Sequence, residues 1–195
     1  MAKQPQAAHS GTSQIRIIGG EWRSRKLSVP DGPGLRPTPD RVRETLFNWL
    51  ASYIGGARVL DAFTGSGALF LEALSRGASS GIALDLHTPA INNLRRNLEI
   101  LQCDSAEVLR ADALEYLSRP ATQGFDIVLL DPPFHQDLLL NSCQLLEANA
   151  WLNERAWIYT ESEQAPSSLG VPTTWRLHRE KHTGQVHYAL WQKQA

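Results

Sequence analysis

The sequence predicts an α/β fold built on a mostly parallel sheet, with helices packed on both faces. Three observations carry this. From Arg58 onward, short branched-apolar runs alternate with longer amphipathic segments, which is the pattern of βαβ units. The run Phe125-Asp126-Ile127-Val128-Leu129-Leu130 is apolar on both faces, as a buried parallel strand is. Asp61, Asp85, Asp112 and Asp131 each close one of four successive strands, the end at which such sheets place their ligands.

Taken in order, residues 1–14 are rich in Gln, Ala, Ser and Gly and lack the apolar stretch of a signal peptide, so a disordered tail is expected. Residues 15–18 and 22–29 flank Gly19-Gly20, a pair that favours hairpin turns. A Pro/Gly loop follows over 30–37. Thr38 then suits an N-cap, with Pro39 at the first helical position and Asp40 in the first turn. Val42, Leu46, Trp49, Leu50 and Tyr53 recur at helical spacing, and Arg41, Arg43 and Glu44 are expected to point away from that stripe. Gly55-Gly56 ends the helix.

Strands are then expected over 58–61, 81–85, 107–110, 125–131 and 156–161. Helices are expected between them over 68–76, 89–101, 113–118 and 138–149, the second opened by Thr88. Residues 175–181 and 186–192 flank His182-Thr183-Gly184 and predict a C-terminal antiparallel hairpin, not another crossover.

The 195 residues suit one domain with a small appendage, and 42% apolar residues provide a core. No apolar run approaches a membrane span. Cys103 and Cys143 have neither a disulfide framework nor metal-type spacing, as in a cytoplasmic protein, and no metal site is expected. Charge is unevenly spread. Residues 1–53 hold eight Lys/Arg against four Asp/Glu, whereas the rest hold eleven against sixteen. A basic arm on an acidic body suits a polyanion, and Arg23, Arg25 and Lys26 beside Trp22 favour nucleic acid over a merely solvated face.

The stretch Asp61-Ala62-Phe63-Thr64-Gly65-Ser66-Gly67 runs from a strand into a helix, and its glycines allow a sharp turn and a close approach to a ligand. A dinucleotide loop would need a third glycine where Phe70 stands. The Asp61 carboxylate would also repel a pyrophosphate but would tolerate a sulfonium-bearing amino acid. S-adenosylmethionine is therefore the better fit. Asp85, followed by Leu86, is placed to accept from ribose hydroxyls, and Asp112 with Ala113 to meet the adenine edge. For any one of these acids, helix capping is the plain alternative.

Asp131-Pro132-Pro133-Phe134 ends the buried strand. Its prolines hold the backbone extended and give no N–H to a ladder. Asp131 and the Pro132 carbonyl could accept both hydrogens of an amino group on a planar base, with the ring stacked on Phe134. A tight turn with Asp131 capping the next helix is the alternative reading of the tetrapeptide alone.

These residues resemble class I S-adenosylmethionine-dependent methyltransferases, with their Rossmann-like sheet and, in the amino-methylating branch, an Asp/Asn-Pro-Pro-Phe/Tyr motif. More narrowly, the chain resembles the RsmD family, bacterial enzymes that methylate guanine N2 in 16S ribosomal RNA. The segments that carry the likeness are Arg16 to Gly20, Leu35 to Thr38, Asp40 to Leu50, Asp61 to Gly67, Asp131 to Phe134 and His178 to Lys181. This chain has Asp85 where the family pattern carries Glu.

The resemblance implies a methyltransferase domain over 54–195, preceded by a basic hairpin, loop and helix over 15–53. It implies S-adenosylmethionine as cofactor, with 16S RNA in a small-subunit particle as partner and a monomeric enzyme. Arg16, Arg23, Arg25, Lys26 and Arg41 would hold RNA, while Arg36 and Arg43 would contact RNA or the cofactor. The rival readings are an amino methyltransferase acting on DNA adenine or protein glutamine, and an RNA-binding assembly factor that keeps a relict cofactor fold.

Overall fold

A computed structural model of the chain describes residues 13–29, 37–134 and 137–195. The Pro/Gly loop up to Arg36, the tail up to residue 12, His9 and His135 lie outside the described residues.

Strands β1 (Ser13–Arg16) and β2 (Lys26–Val29) form the small antiparallel pair, which includes Ser13 and Gln14. Helix α1 (Asp40–Trp49) follows. Then come β3 (Arg58–Asp61), α2 (Ala68–Ser75), β4 (Ser80–Asp85), α3 (Thr88–Leu101), β5 (Ala106–Arg110) and α4 (Ala113–Leu117). The chain continues with β6 (Phe125–Leu130), α5 (Leu138–Ala148) and β7 (Leu152–Ser162). A 3₁₀ turn (Pro166–Ser168) leads into β8 (Trp175–Thr183) and β9 (Val186–Lys193).

The main sheet has seven strands in the order β5-β4-β3-β6-β7-β9-β8. The first five are parallel, and β9 and β8 add antiparallel at one edge. This is the expected α/β architecture. The period-2 alternation of the strands sorts side chains to two cores. Val59, Ile127, Leu129 and Trp157 face the layer made by β1–β2, α1, α2 and α3. Leu60, Val128, Leu130 and Ile158 face α4 and α5. The chain leaves β3 towards β4 and β5, then returns to β6 on the other side of β3. That reversal opens a crevice at the strand ends, the preferred ligand position in such sheets.

Several local expectations give way to packing. Gly19-Gly20 does not form a two-residue hairpin turn. Gly20, at φ 80°, lies against Ser75, and a Cβ there would overlap the Ser75 carbonyl. The connection from β1 to β2 is longer because it is fastened to α2. Thr38 does not cap α1, whose N-cap position belongs to Pro39. Tyr53 is 42% exposed rather than part of the stripe, and Phe47 is fully buried beside Leu46.

Arg43, expected to face outward, is 1% exposed. Its guanidinium meets Glu72 (3.3 Å) and Asp40 (2.6 Å) and donates to the carbonyls of Thr38 and Arg16. Glu72 is itself fully buried and also accepts from the Ile18 and Gly19 N–H groups, each at 2.8 Å, and from Arg76 at 2.6 Å. A buried carboxylate needs such partners, and the need turns Arg43 inward. Its assignment as an RNA or cofactor contact is therefore corrected: it is a structural counter-ion joining hairpin, α1 and α2.

Candidate active site

Asp61 ends β3 with its carboxyl group buried. Thr64 donates its hydroxyl to Oδ2 at 3.0 Å, while Oδ1 is buried with no partner among the described residues. Burial, together with the charges of Asp131 and Asp85, pushes the Asp61 pKa up to about 7. An enclosed acid without a cation is incomplete, and the space beside it is open. A cavity of about 50 Å³ is lined by Asp61, Phe63, Thr64, Gly65, Ser66, Asp131 and Thr38, among others.

The glycine loop that walls this cavity is held from behind. Thr64 N–H donates to the Leu84 carbonyl (2.9 Å), and Gly65 N–H to Asp85 Oδ2 (2.8 Å). Gly67 needs its φ of 78°, and a Cβ on it would crowd Leu94 of α3. Asp85 also takes the His87 N–H on Oδ1 at 2.7 Å. Asp85 thus works first as a brace for the loop, with a second lone pair left on each oxygen. Leu86, immediately beyond, is 59% exposed and offers apolar surface at the rim. Asp112 caps α4 through the Glu115 N–H (2.9 Å), as the plain reading had it, beside a buried Ala113.

Asp131 stands one residue past β6, across the crevice from Asp61. Thr38 donates its hydroxyl to Oδ2 at 3.4 Å. Burial raises the Asp131 pKa to about 6, against the lowering effect of Thr38. Pro132 is buried, Pro133 exposed and Phe134 half-buried. All three line a second, larger cavity of about 350 Å³, which continues over the start of α5 to Glu161, Ser162 and Gly170. Asp131 does not cap α5, because that position belongs to Asp137.

The structure therefore brings Asp61, Phe63 to Ser66 and Asp131 into one cavity and the Pro-Pro-Phe segment into the adjoining one. The basic residues lie elsewhere. Arg16, Arg23, Arg25, Lys26 and Arg41 are exposed on the hairpin and α1, while Arg36 lies outside the described residues. Trp22, a possible RNA contact, is half-buried against the core. Among the described residues, no group of three or more His, Cys, Asp or Glu could hold a metal.

Three participants were missed from sequence. Thr38 looked like a cap. Tyr159 and Glu161 sit in β7, with the Tyr159 hydroxyl donating to Glu161 Oε1 at 2.7 Å. Glu161 had a signal, since it is an acid at the end of the fifth parallel strand, matching the pattern already noted on the other four.

Comparison with known proteins finds relatives over nearly the whole chain. Residues 15–192 match the family model described as Conserved hypothetical protein 95. The Ribosomal RNA small subunit methyltransferase D of Escherichia coli strain K12 is 52% identical over 187 residues, spanning 96% of this chain and 94% of that one. Its namesake from Haemophilus influenzae is 48% identical over 182 residues, spanning 92% and 94%. The solved structure of yhhF from Escherichia coli superposes with a TM-score of 0.87 at 50% identity and covers 94% of this chain and 99% of that chain.

Proposed function

The chain belongs to the RsmD family of S-adenosylmethionine-dependent small-subunit ribosomal RNA methyltransferases, and from that premise we propose that its product is N2-methylguanosine in 16S RNA. The observation that carries this reading is the facing of Asp61 and Asp131 across the sheet reversal, with Pro132 to Phe134 opening from the same point.

The residues fit the cofactor. Asp61 keeps a buried oxygen without a partner among the described residues, in a cavity lined by Gly65 and by a second acid, Asp131. That environment favours a cation and disfavours phosphate. Asp61, Phe63, Thr64, Gly65, Ser66 and Gly67 would hold the amino-acid end, Asp85 and Leu86 the ribose, and Asp112 with Ala113 the adenine. When bound, S-adenosylmethionine supplies an electrophilic methyl group on a sulfonium that leaves readily.

The remaining work falls to side chains of this chain. Guanine N2 is a poor nucleophile because its lone pair is delocalised into the ring. Asp131 and the Pro132 carbonyl accept its two N–H groups, which fixes the nitrogen and turns its lone pair towards the methyl. Orientation of this kind can remove several kcal/mol of barrier. Asp131, with a pKa near 6, is also suited to take the proton that the alkylated nitrogen sheds. Phe134 gives the extruded base a stacking face worth roughly 1–3 kcal/mol, against an unstacking cost of a few kcal/mol. Arg16, Arg23, Arg25, Lys26 and Arg41 grip phosphates around the target.

The test is transfer of labelled methyl from S-adenosylmethionine to small-subunit particles lacking the modification, and to free 16S RNA, followed by nucleoside analysis. Label in N2-methylguanosine is expected, and an Asp131→Ala variant is expected to bind the cofactor yet give none. Label in another nucleoside would overturn the choice of base.

A further inference from the structure

Glu161 has no part in the roles assigned so far, yet it is built into the site. It is 7% exposed, near the end of β7. The parallel register pairs Leu130 with Thr160, so Asp131 and Glu161 come next on neighbouring strands and share one face of the sheet. Tyr159, two residues earlier on that face, fixes Glu161 by donating to Oε1, which leaves Oε2 for a ligand. Glu161 lines the 350 Å³ cavity together with Pro132, Pro133 and Phe134. That volume is within the range of small-molecule pockets and accommodates a purine ring.

We propose that Glu161 is a specificity-determining residue that accepts the N1–H of the target guanine while Asp131 accepts from the neighbouring N2. The inference rests on the guanine-N2 reading above. Its logic is the pattern of the base edge. Guanine presents two adjacent donors, N1–H and the N2 amino group, and two adjacent carboxylates match them. A purine with a lone pair at N1, such as adenine or 2,6-diaminopurine, meets an ionised Glu161 with an acceptor against an acceptor. Sites built to bond a particular donor reject the analogue lacking it, because a buried polar group is left unpaired. Burial and the Asp131 charge push Glu161 up to about 8, so this carboxylate lacks sufficient stabilisation until a donor arrives.

The discriminating substrate is 2,6-diaminopurine, which keeps the reactive 2-amino group and changes only N1 and position 6. Small-subunit particles would be reconstituted on 16S RNA carrying either guanosine or 2,6-diaminopurine riboside at the labelled position. They would be assayed at pH 8, where guanine keeps its N1–H and Glu161, raised to about 8, is partly ionised even before a donor arrives. The wild-type enzyme is expected to favour guanine by about tenfold or more in kcat/KM. Glu161→Gln, whose amide can donate to N1, is expected to narrow that preference to about threefold or less while binding S-adenosylmethionine normally by calorimetry. Equal wild-type rates on the two bases would overturn the proposal without recourse to any variant. So would a folded Glu161→Gln enzyme that keeps the wild-type preference. Absence of wild-type transfer to guanine would instead remove the reading on which the proposal stands.

Discussion

Asp61 weakens the fold wherever no cation faces it. In the folded chain it keeps its proton up to about pH 7, whereas the free group ionises near 3.8. Between those values the folded state binds more protons than the unfolded state, so stability falls as pH rises and levels off above about 7. The full effect is on the order of 4 kcal/mol. Asp131 and Glu161, raised to about 6 and about 8, act in the same direction. Asp61→Asn is therefore expected to melt several degrees above wild type at pH 8, and to converge with it as the pH approaches 4. The same variant should lose much of its affinity for S-adenosylmethionine. Thermal melts of the cofactor-free proteins across this range check the first part, and a variant no more stable than wild type at pH 8 would show that another group already compensates Asp61.

At the scale of elements, the basic hairpin is fastened by one carboxylate. Glu72 on α2 receives Ile18 N–H, Gly19 N–H, Arg43 and Arg76, and Ser75 on the same helix takes Trp22 N–H and donates to Gly19. Removing one partner of a buried ion pair strands the other, so Glu72→Ala should cost roughly 3–5 kcal/mol in denaturant unfolding. It should also open residues 17–25 to proteolysis; resistance equal to wild type would show that the hairpin is held elsewhere. None of this was legible beforehand. Glu72 reads as one acid in an apolar helix, and its partner Arg43 lies 29 positions away. By contrast, the glycine loop and the Asp-Pro-Pro-Phe segment were legible because their chemistry is local: backbone freedom, missing N–H groups and a carboxylate at a strand end. Asp85 was expected to meet the ribose, whereas its bracing of Gly65 depends on a contact 20 residues back that no spacing rule reveals. Thr38 was misread for the same reason, since its partner arrives with β6.

For the molecule as a whole, the hairpin and α1 bring positive charge beside a body that is net acidic. Arg23, Arg25 and Lys26 are exposed together at the hairpin. Replacing all three with Gln should weaken RNA binding at any sequence. It should also flatten the log–log salt dependence by about 2–3, the change for three phosphate contacts. Filter binding over a salt series measures this, and an unchanged slope would move the RNA contact off the hairpin. The docking of that hairpin on α2 has one more consequence, in the order of synthesis. Ile18 lies 54 residues before Glu72, and Thr38 lies 93 before Asp131. The first strands to emerge have no surface to dock on until α2 has followed them, and such distant closures are slow. The crevice closes later still, when β6 arrives. A nascent chain halted between those two events would already have its docking helix, but not the Asp131 carboxylate to which the methyl-transfer role is proposed.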